Sequence, residues 1–252
     1  MTAGRGVIRR AAYALLCGAI DTVFPSRCAV CGASVSWGRH SLCAACHDTI
    51  PRAGDRCPRC SGYLDSGACS VCGTRAWYVD ENIVVANYRG AMRTAVRKYK
   101  FSGARRLARP FAELAAQRIT DAEGATTCDI VTAVPMGRTK RWRRGYNQSE
   151  EVARLVARRL GVPYRRLLRE NRGALVQKTL GYRERFLNIL GRFSVSPRRM
   201  PEGARVLVVD DIFTTGATIN ECARVLKGAG ARAVYGCALA RAAAHGDAER
   251  DA

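Results

Sequence analysis

Apolar runs and helical repeats alternate along the chain from residue 82 onward. Four of the apolar runs lack the polar alternation of a half-exposed strand, which is typical of parallel strands buried on both faces. The pattern predicts strands near 83–88, 129–134, 206–211 and 233–240, and helices near 91–100, 107–118, 148–160 and 219–227. Because strands and helices alternate, we expect an α/β fold with a parallel sheet flanked by helices. A further element is expected near 162–169.

The N-terminal segment has a different pattern, with apolar residues at helical spacing between Ile8 and Val23. Arg9 and Arg10 precede an apolar run at 11–20, as in a signal peptide, but this run ends at Asp21 and no small-residue cleavage site follows. No apolar run in the chain approaches the ~18 residues that a membrane span needs. We therefore expect an amphipathic leader helix at 1–27 of a cytoplasmic protein that has no membrane span.

Eight of the twelve cysteines form four consecutive C-x-x-C units. A C-x-x-C turn directs two thiolates at one ion, and a second turn completes a tetrahedron, so four units make two metal sites. Sequential pairing of the units is the simplest arrangement, but the sequence leaves crossed pairings open. The eight candidate ligands are Cys28, Cys31, Cys43, Cys46, Cys57, Cys60, Cys69 and Cys72.

Disulfides, redox C-x-x-C chemistry and an iron–sulfur cluster are the alternatives to zinc. Disulfides need an oxidising compartment, and the N-terminal segment does not indicate export. A redox motif would occur once and would begin a helix. All-thiolate tetrahedral sites favour zinc or iron–sulfur clusters, and we expect two structural zinc sites. Because such four-ligand sites are closed, we assign them no catalysis.

Positive charge is concentrated in the middle of the chain. The sequence has 42 Lys and Arg against 21 Asp and Glu, a formal net charge of +21. From Arg138 to Arg199 there are 18 basic and 4 acidic residues, whereas from Gly203 to Ala252 there are 6 of each. A GC-rich genome is an alternative explanation for much of the arginine excess. Its placement indicates a surface that binds phosphates or nucleic acid.

The strongest functional indication follows the third predicted strand. The apolar run 206–209 ends in Asp210 and Asp211, at the carboxyl end of a strand where α/β proteins bind ligands. A short segment of small and hydroxyl residues then leads into a helix. Its backbone N–H groups and the helix N-terminus are suited to a phosphate dianion, and Gly216 lets the backbone approach closely. The segment consists of Thr214, Thr215, Gly216, Ala217 and Thr218.

Two adjacent carboxylates beside a phosphate site fit a sugar phosphate. Carboxylates accept hydrogen bonds from vicinal hydroxyls and orient waters on Mg²⁺. We therefore interpret the segment as binding a ribose 5-phosphate, with the 2- and 3-hydroxyls on Asp210 and Asp211. The alternative is a strand–turn–helix with a solvated aspartate pair. The coincidence of strand, acids, hydroxyls and glycine favours the sugar phosphate.

These residues support a resemblance to a known family. The segment 206–218 resembles the signature by which type I phosphoribosyltransferases bind 5-phosphoribosyl 1-pyrophosphate (PRPP). The string Arg-Gly-Tyr-Asn-Gln at 144–148, which follows a strand ending in Val-Pro, resembles the ComF family, as do the cysteine units and the string 99–103. Further matches are Gln177, Arg185, Asn188 and Phe193, and the resemblance covers about residues 15 to 241.

The resemblance implies a domain organisation. A double zinc ribbon at 28–72 follows the leader helix, and a linker at 73–81 joins it to a type I phosphoribosyltransferase-like domain at 82–242. A disordered tail is expected at 243–252.

The resemblance also implies roles for individual residues. Pro135, Met136 and Gly137 are expected to contact pyrophosphate. Among the cations that follow them, which include Lys140 and Arg141, Arg144 is the preferred pyrophosphate clamp. Lys100 is expected to reach the PRPP phosphates from a mobile segment. For each cation a solvated surface position is the alternative.

The implied activity is transfer of a phosphoribosyl group from PRPP with Mg²⁺, in which Asp210 and Asp211 are catalytic. ComF relatives are associated with natural transformation, so single-stranded DNA and the DNA-uptake machinery are implied partners. One alternative is a PRPP sensor or DNA-uptake factor without turnover. Another is a zinc-ribbon nucleic-acid-binding protein that merely retains the loop. The sequence contains no evident pocket for an acceptor base.

Overall fold

The computed structural model describes residues 26–35, 41–53, 56–62, 64, 69, 76–122, 127–171, 189–196 and 200–242. Several expectations fall outside these ranges. They are the leader helix up to residue 25, the fourth cysteine of the second predicted site (Cys72), the matches at 177, 185 and 188, and the tail at 243–252.

The N-terminal module contains short elements between its cysteines. Strand β1 (Ser26–Arg27) pairs antiparallel with β2 (Ser34–Val35), and the short helix α1 (Ala44–Asp48) follows. Cys43 caps α1, because its sulfur accepts the N–H of Cys46. The first two C-x-x-C units therefore lie at a hairpin and at a helix start.

The α/β domain follows the predicted order of elements. Its strands are β3 (Glu81–Asn87), β4 (Ile130–Ala133), β5 (Leu168–Glu170), β6 (Phe193–Val195), β7 (Arg205–Phe213) and β8 (Ala233–Arg241). Its helices are α2 (Gly90–Phe101), α3 (Ala108–Thr120), α4 (Arg138–Arg144), α5 (Gln148–Leu160) and α6 (Ala217–Gly228).

Four of these strands form one parallel sheet in the order β3-β8-β7-β4. Side chains alternate between its faces, and the two faces bury separate apolar clusters. Helices α2, α3 and α5 cover one face through residues such as Val131 and Leu207, and α6 covers the other through residues such as Val206 and Val208. The predicted parallel sheet with flanking helices is thus confirmed, and each of the four predicted strands lies within two residues of its predicted bounds.

Helix α5 illustrates how local sequence features predict the ends and the buried face of a helix. Asn147 caps its start by accepting the N–H groups of Ser149 and Glu150, and two acids occupy its first turn. Gly161, with φ of +71°, ends it in the left-handed conformation that favours glycine. One face of the helix is apolar and buried against the sheet.

The structure adds two elements that the sequence pattern did not predict as such. Helix α4 has no buried residue, so it carries no apolar stripe. Strands β5 and β6 form a two-stranded antiparallel pair apart from the main sheet. The element expected near 162–169 corresponds to β5 together with a bridge between Tyr164 and Val131.

The part of the N-terminal module that carries the first two C-x-x-C units, which we name the first ribbon, packs directly on the α/β domain. Ala29, Leu42 and Ile50 belong to the same buried cluster as the side chains of α2, α3 and α5. Polar contacts reinforce the interface, since Lys98 Nζ donates to the Val30 carbonyl at 3.3 Å and Ser41 Oγ to the Arg106 carbonyl at 3.0 Å.

Within the ranges that the structure describes, no helix has the length and apolarity that crossing a membrane requires.

Candidate functional site

The candidate site lies at the carboxyl ends of β4 and β7, which are neighbours in the sheet. Helix α5, which comes after β4 and the short α4, and helix α6, which follows β7, pack on opposite faces of the sheet, so a crevice opens between the two strand ends. A cavity of about 400 Å³ occupies this position. Its lining residues are Lys100, Val134, Pro135, Met136, Gly137, Lys140, Arg144, Asn147, Ser149, Glu170, Ile189, Arg192, Phe193, Asp210, Asp211, Ile212, Thr214 and Thr218.

Most of the predicted ligand-binding residues line this one cavity. Both aspartates, the 135–137 turn, Lys100, Lys140 and Arg144 are among them. The predicted loop contributes Thr214 and Thr218, whereas Thr215, Gly216 and Ala217 are not among the lining residues. The cavity therefore joins segments that lie more than a hundred residues apart in the chain.

The two aspartates occupy the last part of β7. Asp210 Oδ1 accepts the hydroxyl of Ser149 at 3.2 Å and the backbone N–H of Asp211 at 2.8 Å. Asp211 Oδ1 lies 2.7 Å from Lys100 Nζ. The pair is therefore held by one hydroxyl, one amide and one ammonium group.

The pKa of Asp210 is raised from 3.8 to about 7. Burial is the largest cause, and the neighbouring charge of Asp211 adds to it. The hydrogen bonds from Asp211 N–H and Ser149 and the charge of Lys100 oppose this rise. The position of Asp210 thus favours a carboxyl group that is only partly ionised near neutral pH.

From the family resemblance, Lys100 is expected on a mobile segment. In the structure it lies in the last turn of helix α2. The preceding residue anchors it, because the Tyr99 hydroxyl donates to the Gln148 carbonyl and to Glu151, both at 3.1 Å. Only 13% of the Lys100 side chain is exposed. The end of α2 therefore delivers an ammonium group to the aspartates.

Residues 214–218, the predicted phosphate loop, turn tightly between β7 and α6. Gly216 has φ of +77° and precedes the first residue of α6. A Cβ at this position would lie 2.6 Å from the Phe213 ring, so only glycine fits without displacement. The Thr215 side chain is buried and its hydroxyl accepts the Ala217 N–H at 3.3 Å. The predicted hydroxyl donors facing a ligand are therefore Thr214 and Thr218.

The 135–137 turn leads from β4 into α4. A Cβ on Gly137 would lie 2.9 Å from Glu170 Oε2, so a side chain here would press on the cavity wall. Arg144 lies at the end of α4, where its guanidinium stacks 5.0 Å from the Phe101 ring centroid and donates to Gln148 Oε1 at 3.3 Å. Its buried Nε has no hydrogen-bond partner among the described residues.

Sequence reasoning missed two polar residues at the start of α5. Asn147 donates to the Val134 carbonyl at 3.1 Å while it caps α5, so it ties the helix start to the end of β4. Ser149 is 5% exposed and donates to Asp210. Asn147 belonged to the family string, and the Asn-x-x-Glu pattern of a helix cap could have indicated its position.

The β5–β6 pair supplies a further wall that the sequence did not indicate. Glu170 and Arg192 face each other across the pair, with Arg192 Nε 2.8 Å from Glu170 Oε1, and both side chains are largely buried. Phe193, a match within the family resemblance, lies beside them in the cavity wall. Because the partners are 22 residues apart, no local pattern marks the pair.

The cysteines form two clusters away from the cavity. In the first, the sulfurs of Cys28, Cys31, Cys43 and Cys46 all lie within 4.8 Å of one another, and in the second those of Cys57, Cys60 and Cys69 do so. The sequential pairing is therefore the observed one for the first cluster, and the three described cysteines of the second agree with it.

The geometry of the first cluster fits a tetrahedral metal site, and the three described sulfurs of the second cluster lie at a similar spacing. The Cys31 and Cys43 sulfurs are 3.7 Å apart, which is far longer than a disulfide and close to the edge of a tetrahedron with metal–sulfur bonds of about 2.3 Å. Backbone N–H groups point at the sulfurs, as those of Val30 and Cys43 do at Cys28. Such donors stabilise thiolates that hold a metal.

Comparison with known sequences gives two family matches. A family described as "Phosphoribosyl transferase domain" matches residues 105–252, and one described as "Double zinc ribbon domain" matches residues 19–74. The second match and the two cysteine clusters support structural zinc in the N-terminal module.

Individual relatives cover most of the chain. Competence protein F of Haemophilus influenzae is 27% identical over 227 residues, which cover 87% of this chain and 98% of that protein. Competence protein ComFC of Streptococcus pneumoniae is 29% identical over 205 residues, which cover 79% of this chain and 87% of that protein.

Among solved structures, glutamine PRPP amidotransferase from B. subtilis is similar with a TM-score of 0.39 and 23% identity. The similar region covers 57% of this chain, and the chain spans only 30% of that enzyme.

Proposed function

The chain belongs to the phosphoribosyl transferase domain family, and on that premise we propose that its cavity binds PRPP with Mg²⁺ and transfers the phosphoribosyl group. The relatives named as competence proteins agree with a further role in handling incoming DNA. The acceptor of the phosphoribosyl group is the unknown part of this reaction.

The observation that carries the proposal is the convergence of three segments on one cavity. Thr214 and Thr218 of the phosphate loop, the aspartates that precede it and the 135–137 turn all line the same 400 Å³ space. A sugar with a phosphate at one end and a pyrophosphate at the other needs these three features in this order along its length. The cavity also carries Lys100, Lys140 and Arg144, which suit a ligand with several negative charges.

Each segment has a distinct task in the proposed complex. The N-terminus of α6 and the loop N–H groups hold the 5-phosphate, and Asp210 and Asp211 accept hydrogen bonds from the ribose hydroxyls. Arg144 offers its unpartnered Nε and a stacked guanidinium to the pyrophosphate. Asp210 and Asp211 would hold Mg²⁺ through its waters, and the bound ion would supply positive charge to the leaving pyrophosphate.

The reaction is a displacement at C1 of the ribose. The bond from C1 to the pyrophosphate oxygen breaks and its electron pair leaves with pyrophosphate, while the acceptor's lone pair forms the new bond to C1 and the proton of the acceptor is released to water. Carboxylates near the ring favour the positive charge that develops on the sugar, and the cations favour the departing anion. The chain then needs no covalent nucleophile of its own.

Calorimetric titration of PRPP with Mg²⁺ tests the binding step. Asp210→Asn combined with Asp211→Asn should weaken PRPP binding at least 100-fold. Asp129→Asn is the matched control, because Asp129 lies at the opposite end of the sheet, where it pairs with Arg205. Absence of PRPP binding by the intact protein would refute the proposal.

Release of pyrophosphate separates turnover from sensing. An enzyme releases pyrophosphate from PRPP when offered nitrogenous bases, amines or DNA, and the aspartate double variant does not. A sensor binds PRPP equally well and releases none with any of these.

A specific surface favours single-stranded DNA binding as a second function. Helix α4 carries five cations and no buried residue, and its Trp142 is 88% exposed. Phe101 nearby is also exposed, with Arg144 over its ring. Exposed aromatics among cations are the feature by which proteins stack the bases of single strands. By contrast, Tyr146 is buried, so it belongs to the core.

Anisotropy of a labelled oligothymidine measures this second function. Trp142→Ala should weaken binding about 10-fold, equivalent to a stacked base. Arg143→Ala should weaken it more than Arg232→Ala, which removes the same charge from an exposed position before β8. Equal effects of the two arginine changes would contradict a docking surface on α4.

A further inference from the structure

The segment between the second cysteine cluster and the sheet is held against the phosphate loop. We name residues 76–80 the strap. Asn220, in the first turns of α6, accepts the backbone N–H of Tyr78 at 2.7 Å and donates to the carbonyl of Ala76 at 3.1 Å. Asn220 is 6% exposed, so this two-point contact is shielded from water.

The strap also touches the glycine of the loop. The position of a Cβ on Gly216 lies 3.0 Å from two atoms of the Trp77 ring and 2.6 Å from the Phe213 ring. The backbone of the phosphate loop is therefore confined between two aromatic side chains, one of them from the strap. A shift of the strap would remove one side of this confinement.

The far end of the strap is fixed as well. Asp80 Oδ1 pairs with Lys227 at 2.7 Å, and Asp80 Oδ2 accepts the N–H of Val234 at 2.7 Å. The strap thus runs beside α6 from its first turns to its last turn.

The second cysteine cluster is joined to the same region. Asn82, two residues after the strap, donates its backbone N–H to the Pro58 carbonyl and its side-chain amide to the Arg59 carbonyl. Both acceptors lie between Cys57 and Cys60, in the turn that presents two thiolates. A metal ion bound by the Cys57 and Cys60 sulfurs would therefore fix the geometry of this turn.

We propose that Asn220 is a positioning residue that fixes the phosphate loop against the strap, and that metal held by the second cysteine cluster keeps the strap in place. The first cluster has no such connection among the described residues, since it contacts α2 and the turn at Arg106. The first cluster therefore contacts α2, whereas the second cluster supports the strap. The part of this inference that concerns ligand binding rests on the proposed function. The part that concerns the contact between the strap and the phosphate loop does not.

Two ligands, ribose 5-phosphate and inorganic pyrophosphate, test the phosphate loop and the 135–137 side of the cavity separately. Asn220→Ala should weaken binding of ribose 5-phosphate about 10-fold and leave binding of inorganic pyrophosphate within 2-fold, because pyrophosphate contacts the 135–137 side. Asn87→Ala is the matched control. Asn87 is 7% exposed and also holds the N-terminal module, through Arg56 and Arg52, but at the far end of β3. Equal losses for both probes, or equal effects of the two variants, would overturn the assignment.

Hydrogen exchange tests the mechanical part without any ligand. Cys69→Ser should increase exchange at residues 214–220, whereas Cys31→Ser, which removes a ligand of the first cluster, should not. Asn220→Ala should produce the same local increase while the zinc content stays that of the wild type. Peptides of β4 and α5 serve as internal references.

The possible outcomes of the exchange experiment support or refute the role of the strap as follows. Unchanged exchange of the loop in both Cys69→Ser and Asn220→Ala refutes the strap. If Cys69→Ser loosens the whole domain, Asn220→Ala alone decides. A local increase in a protein that does not bind PRPP would support the strap and refute the proposed function.

Discussion

Lys100 Nζ and Asp211 Oδ1 are 2.7 Å apart in the wall of the cavity, with 13% and 15% of their side chains exposed. The ammonium group comes from the end of α2 and the carboxylate from β7. Attraction between unit charges at this separation is strong where water is largely excluded. The Lys100 ammonium group therefore neutralises the charge that Asp211 would otherwise present to a polyanionic ligand.

Removing this ammonium group should weaken PRPP binding. Lys100→Met leaves both aspartates facing the phosphates without their cation, and we expect the Kd for PRPP with Mg²⁺ to rise about 10-fold, equivalent to about 1.4 kcal/mol. Calorimetry measures the change. Lys98→Met is the control, because Lys98 lies two residues earlier on α2 and donates to the Val30 carbonyl outside the cavity. Tighter binding by Lys100→Met would show that the lysine only competes for Asp211.

The raised pKa of Asp210 predicts how stability depends on pH. The folded chain holds the Asp210 proton up to about pH 7, whereas the unfolded chain releases it near 3.8. Between these values the folded state binds more protons, so this group lowers the free energy of unfolding as pH rises. The contribution is at most about 1.4 kcal/mol per pH unit.

Urea unfolding of wild type and Asp210→Asn at several pH values from 5.5 to 7.5 checks this sign. The variant should lack the downward contribution and should gain stability relative to the wild type as pH rises. Protonation of the cysteine clusters affects both proteins equally and cancels in the difference. A difference that is constant across this range would contradict the raised pKa.

Local patterns were sufficient for the sheet and for half of the site. The strands were predictable because parallel strands buried on both faces require continuous apolar runs, as at Val206–Val209. The aspartates and the phosphate loop are adjacent in sequence, so one motif contained them. The cysteine clusters were predictable for the same reason, since each thiolate pair belongs to one turn.

The rest of the site depends on contacts between distant residues. Ser149 and Asp210 are 61 positions apart, and Glu170 and Arg192 meet only because β5 pairs with β6. Helix α4 was missed for another reason. Its exposed surface gives it no apolar period, and only Gly145, with φ of +78° at its end, marks it locally.

Substitution of Gly216 should damage both the fold and the phosphate site. Alanine at φ of +77° is strained by about 1–2 kcal/mol, and its Cβ would also press on the Phe213 ring. We expect Gly216→Ala to lower the free energy of unfolding by at least this amount and to abolish binding of ribose 5-phosphate. Gly228→Ala, at the other end of α6, is the control. Nothing lies within 4 Å of its Cβ position, so alanine should stabilise the helix by up to ~1 kcal/mol.

Zinc content distinguishes the two cysteine clusters. Wild-type protein should contain two zinc ions per chain, and Cys28→Ser should contain one, because three thiolates no longer close the first tetrahedron. Cys128→Ser should keep both ions, since Cys128 is equally buried but belongs to neither cluster. Mass spectrometry of the native protein counts the ions directly. Iron with visible absorbance in place of zinc would show that the clusters hold iron–sulfur centres instead.

The same variant predicts where structure is lost. Metal binding contributes about 10–16 kcal/mol in small zinc modules, which is as much as the whole stability of an ordinary domain. Cys28→Ser should therefore unfold the first ribbon, and its apolar residues Ala29, Leu42 and Ile50 should leave the cluster that they share with α2 and α3. Hydrogen exchange should rise in residues 41–53 and at the ends of those helices, while β7 and β8 remain protected. Full protection of the first ribbon without its metal would show that packing alone holds it.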